Sequence, residues 1–119
     1  MKKILLAEDD ATMVSLLKML LGLEGYQAVN ITAENQDIIQ LTRDELPDLV
    51  LLDVHLGDQN GLEVVRELRN LTDLKKIKVI MTSGMNLKEE CKKAGADDFV
   101  MKPYMPDELL KIIRDSISI

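Results

Sequence analysis

The chain has 119 residues, 46% of them hydrophobic and 30% charged, with a net charge of -6 and a pI near 4.7. That length suits one ordinary domain and leaves no room for a second, so residues 1–119 are read as one unit. The acidic balance excludes duplex nucleic acid as the main ligand, because neutralising phosphates takes clustered Lys and Arg, and no run approaches the roughly 20 apolar residues that span a bilayer.

Met1-Lys2-Lys3 leads into an apolar run of only Ile4 to Ala7 before Glu8-Asp9-Asp10, so the segment Lys3 to Ala7 reads as a strand rather than an export signal. Met13, Leu16, Leu17, Leu20 and Leu21 then follow the i, i+3, i+4 rhythm of a helix with one buried stripe. Asp10 stands at its N-cap, and Gly22 and Gly25 mark its exit. Tyr26 to Ile31 predicts a second strand. Ala33 to Glu45 predicts a polar second helix with Ile38, Ile39 and Leu46 on its apolar side.

A third strand over Asp48 to Leu52 runs into Asp53, and Asn60-Gly61 is a turn signal that folds the following loop close to that carboxylate. Leu62, Val65 and Leu68 mark the third helix, and Ile77 to Met81 the fourth strand. The fourth helix, Asn86 to Ala94, carries Lys88, Glu89, Glu90, Lys92 and Lys93 as a solvated face. Asp98 to Met101 is the fifth strand. Leu109, Leu110, Ile113 and Ile117 define the last helix, which Pro106, Asp107 and Glu108 open. Five strands alternating with five helices imply an α/β fold, a parallel sheet covered on both faces. The single Cys91 calls for no oxidising compartment, and the cytoplasm is expected. The seven methionines are scattered, which reads as filling gaps in the core.

Three of the predicted strands end in Glu8-Asp9-Asp10, in Asp53 and in Lys102. In a parallel sheet the C-terminal strand ends share one edge, where open α/β folds bind ligands. Two ionised carboxylates about 5 Å apart repel by roughly 3 kcal/mol at an effective dielectric near 20. Such a corner requires a metal cation, a lysine or a raised pKa. A hard ion such as Mg2+, with Mn2+ as the alternative, fits an all-oxygen donor set. Taken alone, Asp53 reads as a turn former and Lys102 as a surface lysine; their shared position reverses both readings. His55, the only histidine, has no further His or Cys near it to make a zinc site.

Glu8-Asp9 after the first strand, Asp53 after the third, Thr82 after Val79-Ile80-Met81, and Lys102-Pro103 after the fifth together resemble the receiver domain of two-component response regulators, from Lys3 to the last helix. The resemblance implies a single flavodoxin-like (βα)5 domain with strand order 2-1-3-4-5. It also implies Asp53 as phosphoryl acceptor, with Lys102 and Thr82 on the phosphoryl oxygens. Asp9, Asp53 and the His55 backbone carbonyl would be direct Mg2+ ligands, and Glu8 a ligand through water. Thr82 and Phe99 would form the switch pair, Lys102-Pro103 would be cis, and the His55 side chain would stand at the rim, able to modulate water attack on the acyl phosphate.

The partners so implied are a sensor histidine kinase or histidine phosphotransfer protein, and a downstream protein or fused output domain. The product is a conformational signal, so the chain is not read as a metabolic enzyme. Three departures from the family pattern stand out. Gly57 replaces a usual proline and should loosen its loop, Gly84 follows Ser83 where a larger residue is common, and the stretch from Thr82 to Gly95 is short. A dehalogenase-type phosphatase would need an Asp where His55 stands, and an EF-hand loop aligned on Gly61 would start at Leu56 instead of an acid. Nor do the glycines form a nucleotide-binding pattern. The remaining alternative is a docking adaptor with the same fold that works without phosphorylation.

Overall fold

Alternation along each strand sends successive side chains to opposite faces of a sheet, and here it sorts the apolar residues into two separate layers. In the computed structural model, which describes residues 1–31 and 37–117, the main sheet consists of β1 (Lys3–Ala7), β2 (Gln27–Ile31), β3 (Leu49–Asp53), β4 (Lys78–Ser83) and β5 (Asp98–Met101). All four pairings are parallel, and the order β2-β1-β3-β4-β5 is the one the resemblance implies. Leu5, Ala7, Val50, Leu52, Val79 and Met81 face one layer, covered by α2 (Ile38–Glu45), α3 (Gly61–Asn70) and α4 (Lys88–Ala94). Ile4, Leu6, Leu49, Leu51, Ile80 and Val100 face the other, under α1 (Ala11–Leu23) and α5 (Pro106–Ile117). Among the described residues no helix is long and apolar enough to cross a membrane.

The helices depart from expectation in instructive ways. α1 buries Leu17 and Leu21 fully and Met13, Leu16 and Leu20 in part, as expected, and adds Val14 to the stripe, while Gly22 lies inside the helix and Gly25, at φ +88°, follows its end. The Asp10 carboxylate caps α1 as expected, accepting from the Thr12 and Met13 amides. α2 starts at Ile38 because Asp37 caps it; the rest of the predicted start, residues 33–36, lies outside the described residues. α4 starts at Lys88, two residues later than read, with no side-chain cap. Of the methionines, only Met81 is fully buried, while Met1, Met19, Met85, Met101 and Met105 are exposed, so filling the core is not their general role.

Asp53 and Thr82 belong to strand ends, not to the loops after them, and pair with each other in register. Beyond Asp53, His55–Leu56 pairs antiparallel with Gln59–Asn60 around the two-residue loop Gly57-Asp58. Gly57 has φ +57° and Asp58 is not left-handed, the signature of a hairpin turn with glycine at its first central position. Proline, locked near φ -65°, cannot take this conformation. Gly57 therefore closes a defined hairpin where a looser loop was expected.

Leu46 is the one non-glycine described with positive φ (47°); it ends α2, is 64% exposed, and its amide donates to the Thr42 carbonyl. A left-handed conformation costs a side chain with a Cβ roughly 1–2 kcal/mol. Glycine's extra unfolded-state entropy takes back part of that. Leu46→Gly is thus expected to raise stability by up to about 1 kcal/mol, read as a higher urea midpoint with an unchanged slope.

Candidate functional site

β1 lies between β2 and β3, so the chain reverses its direction of travel across the sheet at β1, and a crevice opens at the C-terminal ends of β1 and β3. Register then places the polar groups. Ala7 pairs with Leu52, which puts Glu8 one residue past β1 beside Asp53 at the end of β3. On the far side, the Lys102 amide donates to the Ser83 carbonyl at 2.8 Å and turns the chain at the end of β5. The peptide bond from Lys102 to Pro103 is cis, as expected.

Glu8, Asp9 and Asp53 each offer a carboxylate oxygen, all within 4.8 Å of one another. Glu8 and Asp53 are buried and Asp9 is exposed. The Lys102 ammonium lies between the two buried acids, 2.7 Å from Glu8 Oε2 and 2.9 Å from Asp53 Oδ2. Burial by itself pulls the lysine pKa down, but the hydrogen bonds to Glu8 and Asp53, together with their charges, hold it above the ordinary range. Lys102 therefore stays cationic. The remaining oxygens are also held: Glu8 Oε1 accepts from the Asp10 amide at 3.1 Å, and Asp53 Oδ1 accepts from the His55 amide at 3.3 Å.

One lysine cannot neutralise three carboxylates. An all-oxygen cluster with one exposed member suits a small hard cation that keeps some of its water, and the donor set fits Mg2+ in this respect. It does not fit a zinc site, since the His55 side chain is exposed and no metal-ligand group of His or Cys forms around it among the described residues.

Thr82 is buried in β4 directly opposite Asp53, and its carbonyl accepts from the Val54 amide. Phe99 is partly buried in β5 and packs on the layer under α2, α3 and α4. The structure thus gathers Glu8, Asp9, Asp53 and Lys102 into one nest, with Thr82 beside it and Phe99 on the neighbouring strand.

Three features escaped sequence reasoning. Asn60-Gly61 is no turn: the Asn60 side chain caps α3 by accepting from the Leu62 amide, and Gly61 is the first residue of that helix. Its amide donates to the Val54 carbonyl at 2.7 Å, drawing α3 against the end of β3. Arg69, which looks like one more solvated charge, donates to the carbonyls of Gly95, Lys75 and Ile77 and to Asp97 Oδ2, which also accepts from the Val79 amide. It thereby ties α3 to β4 and to the loop that leads into β5. Tyr104, next after Lys102-Pro103, is buried, and its hydroxyl has no partner among the described residues. Burial, followed by the charge of Glu8, pushes its phenol pKa up to about 12. The one signal for Tyr104 was its place two residues after the lysine.

A family model described as the response regulator receiver domain matches residues 4–114. The chain is similar to the chemotaxis protein CheY of Thermotoga maritima, with 26% identity over 114 residues and 95% of each chain covered. It is also similar to the transcriptional regulatory protein CpxR of Klebsiella pneumoniae, with 36% identity over 96% of this chain but 48% of that protein. Among solved structures, the BeF3-activated N-terminal receiver domain of Klebsiella pneumoniae RstA superposes with a TM-score of 0.85 at 25% identity, covering 97% of each chain. The chain spans about half the length of the transcriptional relatives it matches.

Proposed function

Because the chain belongs to the response regulator receiver domain family of two-component systems, we propose that it takes a phosphoryl group from a phosphohistidine onto Asp53 in a Mg2+-dependent reaction and passes the change on as a conformational signal. Receiver domains are signalling switches rather than metabolic enzymes. The observation that carries the reading is the nest itself: two buried carboxylates bridged by Lys102, with Asp9 at the mouth.

In this reading an Asp53 oxygen attacks phosphorus in line; the new O–P bond forms as the N–P bond breaks, and the imidazole of the donor leaves with its electron pair. Lys102, freed from Asp53, neutralises charge on the equatorial phosphoryl oxygens, and the Thr82 hydroxyl donates to one of them. Asp9, Asp53 and the His55 carbonyl would hold Mg2+ directly and Glu8 through water; the ion, when bound, supplies further positive charge to the same oxygens. Movement of Thr82 toward the phosphoryl group would open space for Phe99, which carries the change to the surface around α4, β5 and α5. The phosphodonor would be a sensor kinase or a phosphotransfer protein, and the recipient a downstream protein or an output domain.

Mass spectrometry after incubation with acetyl phosphate tests this. The expected result is a gain of one phosphate that requires both Mg2+ and Asp53, with Asp53→Asn unlabelled. Labelling of Asp53→Asn would refute Asp53 as the acceptor, and no labelling of the wild type would leave the docking adaptor.

A further inference from the structure

Tyr104 is 8% exposed and belongs to the buried apolar layer under α1 and α5. Phenylalanine would fill that space equally well. A buried hydroxyl without a partner costs roughly 1–3 kcal/mol, and this hydroxyl is the only fully enclosed side-chain N or O atom without a hydrogen bond among the described residues. It lies within electrostatic reach of Glu8, Lys102, Asp53 and Asp10. Tyr104 also lines, with Lys102, Asp10 and Met13, a crevice of about 430 Å3 beside the nest.

The carboxylate nearest in influence is itself about to lose a donor. Glu8 Oε1 is held by the Asp10 amide, but Oε2 depends on Lys102 alone among the hydrogen bonds and ion pairs of the nest. In the reading above the lysine turns its charge to a phosphoryl group on Asp53 while Glu8 faces the ion through one water, so the Glu8 carboxylate, 3% exposed, exchanges a charged donor for a neutral one and keeps room for a second. The reaction thus weakens the donor set of one buried acceptor within electrostatic reach of a tyrosine that already holds one orphaned donor.

We infer that Tyr104 is a positioning residue for the phosphorylated state: its hydroxyl is unpaired while Lys102 bridges Glu8 and Asp53, and donates to the Glu8 carboxylate once Lys102 engages the phosphoryl group. This rests on the reading of Asp53 as phosphoacceptor. Tyr104 acts through Glu8 and releases Lys102 from its ground-state partner, and it touches no reacting atom.

The test compares wild type with Tyr104→Phe and, as a control for losing a phenol, Tyr26→Phe. Beryllofluoride with Mg2+ serves as the phosphoryl probe, titrated by thermal shift, beside urea unfolding of the unloaded proteins. Unloaded Tyr104→Phe is expected to be at least as stable as wild type, yet to bind beryllofluoride roughly 3- to 10-fold more weakly, while Tyr26→Phe binds normally. In wild type labelled with 13C at the tyrosine Cζ, the Tyr104 signal is expected to move on loading. Undiminished affinity in Tyr104→Phe, a loss of stability in its unloaded form, or an unmoved Tyr104 signal would overturn the proposal. Failure of wild type to take up beryllofluoride or acetyl phosphate would instead remove Asp53 as acceptor, and the role of Tyr104 with it.

Discussion

Lys102→Met is expected to slow labelling by acetyl phosphate roughly 100- to 1,000-fold and to lower stability in Mg2+-free buffer by about 2 kcal/mol. Both effects have one cause. Among the described residues the ammonium is the only cation bridging the Glu8 and Asp53 side chains, which are 2% and 9% exposed, and methionine keeps the length of the side chain while removing its charge. Breaking a fully buried pair costs more, about 3–5 kcal/mol, but Lys102 is itself 28% exposed, so water takes up part of the loss. Mg2+ should restore stability to the variant more strongly than to wild type, because the ion then supplies the missing positive charge.

The pH dependence has a definite sign. The folded-state pKa of Lys102 is raised above 10.5, so its contribution is fully present below that value and fades only as pH rises through the higher folded value. Wild type should therefore show no loss from this lysine between pH 6 and 9. Urea titrations of wild type at pH 6 and 9, and of both proteins with and without Mg2+, measure this. Equal stability and equal labelling rates would show that the ammonium is dispensable.

Gly61→Ala is expected to lower stability by about 2–3 kcal/mol, although helix propensity alone predicts a gain of up to 1 kcal/mol. A Cβ at this position would lie 2.6 Å from the Asp53 carbonyl oxygen and 2.9 Å from Val54 Cα, both backbone atoms, and 3.1 Å from Met81 Cε. The methionine can move; the strand end cannot move without displacing Asp53. Labelling by acetyl phosphate should fall along with stability. Gly22→Ala provides the contrast, since Gly22 also lies in a helix but has nothing within 4 Å of the added carbon, so propensity acts alone there and stability should rise. Urea midpoints of opposite sign for the two variants are the expected result, and a stabilised Gly61→Ala would show that the end of β3 yields.

The legible part of this protein was whatever depends on period and order. Continuous apolar runs in β1 and β3 announce strands buried on both faces, and Leu109, Leu110, Ile113 and Ile117 mark the buried face of α5, all four of them buried as read. Strand-end acids and a strand-end lysine converge because parallel strands bring their C-terminal ends to one edge. Boundaries were less legible. Helix starts at Ile38 and Lys88 depend on where a cap or loop ends, and the dipeptide Asn60-Gly61 serves equally well as a turn or as a cap followed by a close contact.

Topology and the chemical identity of the nest are legible in one dimension, since period, strand order and residue type are properties of the chain alone. Which groups are enclosed and whom they face arises only on folding: Lys102 shared between Glu8 and Asp53, Gly61 pressed on the end of β3, Arg69 gathering three carbonyls from two segments, and the Tyr104 hydroxyl left without a partner among the described residues. Each depends on how separate elements meet, and its energy is set by burial and by distances of a few ångströms. Neither quantity exists until the helices have closed over the sheet.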